Sequence, residues 1–139
     1  MINVSEPCEV LKKFLGEMNS WERNFFEKKM ELIDGGQSTA ECNQNYTKLL
    51  EKILETYTVK NAKSWARLEA PGCGDPVMYD LVRDRLHEPT IQGDTVLIIV
   101  DQTVGLKSRF RFSLIRENDR WKIKKKDTFR SGSWALSTL

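Results

Sequence analysis

The sequence has little histidine and cysteine, the residues that most often supply metal ligands and nucleophiles. One histidine, His87, and three cysteines, Cys8, Cys42 and Cys73, occur in 139 residues. Three widely separated cysteines match neither a disulfide framework nor a zinc-ligand spacing. No cysteine has a base beside it in the sequence, and Gly72-Cys73-Gly74 is too short for a nucleotide-binding loop. We therefore expect reduced thiols, no metal site and no cofactor.

Long apolar runs and an excess of one charge are also missing. No segment approaches the roughly 20 apolar residues that span a bilayer, and the first residues do not follow the pattern of a secretory leader. The 22 basic and 20 acidic residues give a formal charge of +2. This near balance does not favour nucleic acid or an anionic membrane as a partner. We expect a soluble, cytoplasmic protein.

Length and hydrophobic pattern predict one domain of the α+β class. A chain of 139 residues with 40% hydrophobic content can bury roughly two-thirds of its unfolded surface in a single core. Helical periodicity fills the first part and strand periodicity the second, an order typical of helices packed on an antiparallel sheet. We predict a single domain over residues 1–139, with residues 130–139 as a short tail.

Two amphipathic helices are predicted first. One begins near Ser5 and ends at Asp34-Gly35-Gly36, where glycine can adopt the left-handed conformation. The other is capped by Ser38 or Thr39. Apolar residues recur in both at steps of three and four. They are Leu11, Phe14, Leu15, Met18, Trp21 and Phe25 in the first helix, and Tyr46, Leu49, Leu50, Ile53, Leu54 and Tyr57 in the second.

A β-hairpin is the strongest strand signal. Apolar and polar residues alternate from 108 to 116, and an apolar pair follows at Trp121 and Ile123. If 117–120 form the loop, or Asn118-Asp119 a tighter one, residue 114 pairs with 123 and residue 116 with 121. The buried face then holds Phe112, Leu114, Trp121 and Ile123. The opposite face is predicted to hold Arg109, Arg111, Lys122, Lys124 and Lys126.

The segment between the helices and this hairpin has weaker signals. Residues 64–69 read as a short strand and residues 70–76 as a loop, although Asp75-Pro76 could also cap a helical turn through Leu81 and Val82. A second hairpin is predicted from residues 87–92 and 95–102. Its apolar segment, residues 96–100, is the candidate central strand with both faces covered.

The helix motif Phe14-x-x-x-Met18-x-x-Trp21-Glu22 and the closing Arg120-Trp121-Lys122-Ile123 hairpin resemble a bacterial family of immunity proteins, the partners that neutralise polymorphic toxins. The resemblance implies a cone-shaped, curved antiparallel sheet covered by N-terminal helices, the nuclear transport factor two-like or cystatin-like fold. Asn118-Asp119 stands where a glycine is common in that family, and the segment after Phe129 has no counterpart.

The resemblance implies a binding function and no catalysis. The expected partner is a cognate toxin domain, held non-covalently in a stoichiometric complex that occludes it. We expect no nucleic-acid or membrane partner and a monomer or weak homodimer. The sequence does not identify the toxin activity.

Two other function classes remain open. An enzyme or ligand-binding protein would use the interior of the cone, and an open cavity lined by Asp and Tyr would favour it over a closed, apolar one. His87 reads as a surface residue, and no pair among Asp80, Asp84, Asp94 and Asp101 has a spacing that specifies acid-base chemistry. A nucleic-acid site on the basic face is less expected, since the hairpin aromatics occupy the other face.

The expected partner surface is the stretch from 67 to 84. It combines charged residues with a loop and an aromatic side chain, features that protein interfaces use as anchors. The same stretch can be read as an irregular connection whose charges only keep it in solution. The candidate partner-binding residues are Arg67, Glu69, Asp75, Tyr79, Asp80 and Asp84.

Overall fold

A computed structural model describes residues 3–61 and 64–139. Two helices come first and a six-stranded antiparallel sheet follows, which confirms the α+β class. The helices are α1 (Ser5–Asp34) and α2 (Ala40–Tyr57), and a 3₁₀ turn lies at Ala66–Leu68. The strands are β1 (Arg85–Leu86), β2 (Thr90–Gln92), β3 (Thr95–Asp101), β4 (Arg109–Glu117), β5 (Arg120–Arg130) and β6 (Ser133–Ser137).

The sheet runs in the order β1-β3-β4-β5-β6, with β2 also paired to β3. The predicted hairpin register is confirmed, because Leu114 lies opposite Ile123 and Arg116 opposite Trp121. The turn is the tighter of the two considered, and Asn118 and Asp119 both have positive φ angles, of 51° and 61°. Two left-handed residues give a turn whose twist matches that of the strands, and Asn and Asp tolerate this conformation.

A β-bulge in β5 changes the direction of one predicted side chain. Ser113 pairs with Lys125 and Leu114 with Ile123, so Lys124 is an extra residue without a partner on β4. From Lys125 onward, each side chain of β5 therefore points to the face opposite to the one it would occupy in a strand without a bulge. Lys126, predicted on the basic outer face, instead lies opposite Phe112 on the inner face and is buried.

The core lies between the helices and the inner face of the sheet. The predicted apolar stripe of α1, which includes Trp21, is buried, as is Trp121. The prediction is wrong for Leu49, which is 47% exposed because α2 turns Leu50 and Leu54 inward instead. β3 lies inside the sheet as predicted, but Leu97 and Ile99 on its outer face remain half-buried.

Several weak predictions in the middle of the chain are corrected. Residues 64–69 form a turn and the 3₁₀ segment rather than a strand, and residues 81–83 form a turn rather than a helix. The first strand of the second hairpin begins at Thr90, not at 87. The last ten residues add β6 at the sheet edge, and the N–H of Leu139 donates to the carbonyl of Ser64 at 3.0 Å.

Candidate functional site

Two loops meet at one end of the sheet. Residues 69–84 and 102–108, here called the end-loop surface, are joined by side-chain hydrogen bonds across the gap. Thr103 Oγ1 donates to the carbonyl of Arg83 at 2.8 Å, and Gln102 Nε2 donates to the carbonyl of Met78 at 3.1 Å. The pairing of β3 with β4 brings the second loop into this position. The two loops therefore form one continuous surface.

The six predicted partner-binding residues divide into surface and core. Glu69 and Asp75 are exposed. Arg67 and Tyr79 are buried and cannot serve as exposed anchors, which corrects that part of the prediction. Tyr79 packs against aromatic rings of α1 and β4 instead. The partner-binding role of the remaining residues stays a prediction.

Asp80 and Asp84 are half-buried and hold the first loop in shape. An Asp84 carboxylate oxygen accepts a hydrogen bond from the N–H of Asp80 at 2.9 Å. Asp80 accepts from the N–H of Val82 at 3.0 Å and forms an ion pair with Arg23 at 3.2 Å. Burial raises the pKa of Asp84, and the backbone hydrogen bonds oppose that rise. The two carboxylates therefore organise a tight turn that presents Val82.

Two apolar residues on the end-loop surface were missed from the sequence. Val82 is 94% exposed and Leu106 is 92% exposed. Leu106 lies in a turn between Gly105 and Lys107, and this isolation of an apolar residue was the available signal, whereas Val82 follows the apolar Leu81 and has no such signal. Exposed apolar side chains beside charged groups can supply the apolar part of a protein-contact surface.

A cavity of about 470 Å³ opens beside the end-loop surface, between the inner face of the sheet and residues 76–78. This cavity matches neither of the two interiors considered above: it is not closed and apolar, and its lining contains no Asp or Tyr. Hydroxyl and amide groups of β5, β6 and residues 102–108 line one part of it, and Met78, Leu106 and Phe110 line another. Its charged residues are Glu22, Lys126 and Arg130.

Lys126 reaches this cavity because of the bulge in β5. Its side chain is 2% exposed, and its Nζ donates to the hydroxyl of Tyr79 at 2.8 Å. Nζ also lies 4.4 Å from the centre of the Phe110 ring. Burial lowers the pKa of the Lys126 ammonium to about 7, and the positive charges of Arg67 and Arg130 act in the same direction.

Glu22 is the acidic residue of the cavity, and its oxygens are already occupied. They accept hydrogen bonds from the N–H groups of Gly74 at 3.0 Å and Met78 at 2.9 Å. The guanidinium of Arg67 lies 3.4 Å from the same carboxylate. These partners tie α1 to the loop that forms the cavity wall, so Glu22 has a structural role.

We predict that Lys126→Met raises the free energy of unfolding by about 1 to 3 kcal/mol at pH 7, since a buried ammonium without a carboxylate partner is costly. The folded pKa of about 7 lies below the ordinary value of 10.5. The unfolded chain therefore binds more protons across this window, and the stability of the native protein rises with pH.

The gain in the free energy of unfolding from Lys126→Met should accordingly become smaller between pH 7 and pH 9. Urea unfolding at several pH values measures it. Lys124→Met, at the exposed bulge position of the same strand, is the matched control and should show no such dependence. An unchanged advantage at pH 9 would contradict the prediction.

The outer face of the sheet is basic but internally paired. Asp101 lies 2.7 Å from Arg109 Nε and 2.6 Å from His87 Nε2. Arg109 and His87 together lower the pKa of Asp101. Asp127 pairs with Arg111 at 3.2 Å. The arginine charges of this face are thus partly neutralised by carboxylates of neighbouring strands.

One aromatic residue of the outer face was not anticipated. Trp134 on β6 lies beneath the guanidinium of Arg111, 4.4 Å from its ring centre, and packs edge-on to Phe129. The pairing of β5 with β6 creates this contact. One side of the Trp134 ring is therefore already covered by the Arg111 guanidinium.

Within residues 3–61 and 64–139, no group of three or more His, Cys, Asp or Glu side chains is placed to hold a metal ion. The helices of this part of the chain are also too short or too polar to cross a membrane. All three cysteines are free thiols.

Comparison with known proteins agrees with the fold and with the sequence resemblance. The family model described as NTF2 fold immunity protein matches residues 6–137. "Immunity protein RhsIA" of Dickeya dadantii (strain 3937) is 25% identical over 129 residues, which cover 93% of this chain and 91% of that protein. No solved structure matches the chain significantly. A match over almost the whole chain shows that it belongs to the NTF2 fold immunity protein family.

Proposed function

We propose that this protein binds a cognate toxin domain in the cytoplasm and neutralises it by non-covalent, stoichiometric occlusion. Membership of an immunity protein family supports the general role. The single structural observation that supports binding is the end-loop surface, where the exposed Val82 and Leu106 lie among charged residues. We propose this surface as the contact site.

The chemistry of the end-loop surface suits a partner with a basic groove. Its four carboxylates, Glu69, Asp75, Asp80 and Asp84, outnumber its two cations, Arg83 and Lys107, although Asp80 is also paired with Arg23 of α1. The acidic excess would speed the encounter with a basic surface and set the orientation of the complex. Val82 and Leu106 would then supply the apolar contacts from which most binding energy arises.

Occlusion requires no catalytic group on this chain. An interface of roughly 800 Å² on each partner is enough for a specific, stable complex. The two end loops are held to each other by the hydrogen bonds of Thr103 and Gln102, so little ordering cost would oppose binding. A toxin active site covered in this way would be closed to its own substrate.

The proposal predicts that Val82→Arg combined with Asp75→Lys weakens toxin binding by about tenfold or more. Both side chains are exposed, so the variant should fold normally. Calorimetric titration with the purified toxin domain and a growth-protection assay measure the effect. Lys124→Glu, at the exposed bulge of β5 outside the end-loop surface, is the charge-change control and should bind normally. If Lys124→Glu abolished binding while the double variant bound normally, the end-loop assignment would be wrong.

His87 provides a second test, directed at the enzyme alternative. Its ring is held by Asp101 on the outer face and is absent from the cavity lining. We predict that His87→Ala keeps full protection against the toxin, after correction for the amount of folded protein. A folded His87→Ala variant without protection would show that the ring has a direct role.

A further inference from the structure

We infer that the cavity beside the end loops is a binding site for a small amphipathic carboxylate. Its carboxylate would contact the Lys126 amine, and its apolar part would lie along Met78 and Phe110. This ligand site borders the proposed toxin contact and shares Leu106 with it, but Lys126 lies outside that contact, and nothing in an immunity role requires the ligand.

Charge balance is the first support. Lys126 and Arg130 line the cavity, and Arg67 is close enough to act on the charge of Lys126. Glu22 is the acidic side chain of the lining, and Arg67 already neutralises it. In the described part of the chain, Lys126 forms no ion pair. The cavity therefore carries uncompensated positive charge, which an anion would balance.

The hydrogen-bond inventory of Lys126 leads to the same ligand chemistry. An ammonium has three N–H donors. Its short contact is with the neutral hydroxyl of Tyr79, and a weaker one reaches the sulfur of Met78 at 3.5 Å. Buried cations are usually paired with an anion, because desolvation without compensation is expensive. A bound carboxylate would supply the missing acceptor.

The walls of the cavity determine which chemical groups the rest of the ligand, apart from its carboxylate, should have. Met78, Leu106 and Phe110 provide apolar surface, while Thr128, Ser137 and Gln102 provide a few polar groups. A volume of about 470 Å³ falls in the usual range for small-molecule sites. A multiply charged phosphate ester would leave charge against the apolar walls. A carboxylate on an aromatic or aliphatic body fits both halves of the cavity.

The test uses the isolated full-length protein and two probes of nearly equal shape. Naphthalene-1-acetate carries a carboxylate, and naphthalene-1-acetamide is its neutral counterpart. Calorimetry and amide chemical-shift changes at pH 6.5 should show the carboxylate binding on the order of tenfold more tightly, because the amide oxygen can still accept a hydrogen bond from the Lys126 ammonium but carries no negative charge to balance it. Inorganic phosphate is a third probe and should bind weakly or not at all.

Lys126→Met should abolish the preference for the carboxylate, whereas Lys124→Met should retain it. Chemical-shift changes should concentrate at residues 76–78, 110 and 126–128. Equal binding of both naphthalene probes to the native protein, an unchanged preference in Lys126→Met, or tighter binding of phosphate than of the carboxylate would each overturn the inference. The toxin-binding experiment does not involve Lys126, so either proposal can fail without the other.

Discussion

Replacing Trp21 by alanine is expected to lower the free energy of unfolding by about 3 to 5 kcal/mol. The indole is 4% exposed and packs on the Phe25 ring at 5.5 Å between centres. Its Nε1–H donates to the carbonyl of Tyr46 at 2.8 Å, and the Arg67 guanidinium lies 4.9 Å from the ring centre. The substitution therefore removes core volume, the link between α1 and α2, and the ring beneath a buried cation.

Trp121→Ala should have an effect in the same range. This indole is 9% exposed, lies on the inner face of β5, and closes the hairpin end of the core. Chemical denaturation measures both variants. Trp21→Phe is the informative control, since it keeps most of the ring volume and loses the Nε1 hydrogen bond, for an expected cost of about 1 kcal/mol. Losses below about 1 kcal/mol for both alanine variants would show that the core assignment is wrong.

The helices and the closing hairpin could be predicted because their signals are local. In α1, apolar residues recur at steps of three and four from Leu11 to Phe25, and the Gly35-Gly36 pair ends the helix at the predicted place. In the hairpin, strict alternation along β4 leaves one register that buries Phe112 and Leu114 together with Ile123. A pattern of this kind predicts both the type of secondary structure and the face of it that is buried.

The inner face of β5 could not be predicted past Ile123 for an equally physical reason. Residues 124–126 are all lysine, so hydrophobicity does not indicate which of them turns inward. A bulge at Lys124 shifts the alternation by one residue, and only the pairing with β4 reveals it. The same shift places the Lys126 amine in the cavity, so the proposed carboxylate site could not be predicted from the sequence.

The candidate site was predicted in outline only. The stretch 67–84 does form much of the end-loop surface, but a loop has no periodicity to show that Tyr79 points inward while Val82 points outward. The contribution of Leu106 depends on the contact between two loops that are distant in sequence. Long-range packing determines whether such a loop side chain points inward or outward, and the pattern of residues within one segment does not indicate that packing.

Glu22→Ala is expected to cost about 3 to 5 kcal/mol, the range for removing one partner of a buried ion pair. The carboxylate is buried, and its loss would leave the buried Arg67 guanidinium without its counter-charge. The N–H groups of Gly74 and Met78 would also lose their acceptors. Because these two amides anchor the cavity wall and the start of the end-loop surface, the variant should loosen both.

Urea unfolding and hydrogen exchange at the Gly74 and Met78 amides measure the two effects. Glu31→Ala makes the same change on an exposed part of α1, where Glu31 pairs only with Lys28 at 3.9 Å, and should cost less than about 0.5 kcal/mol. The double variant Glu22→Met/Arg67→Met removes both charges and should be more stable than Glu22→Ala, since no buried charge is then left alone. If Glu22→Ala cost no more than Glu31→Ala and left both amides protected, the carboxylate would not be what holds this loop to α1.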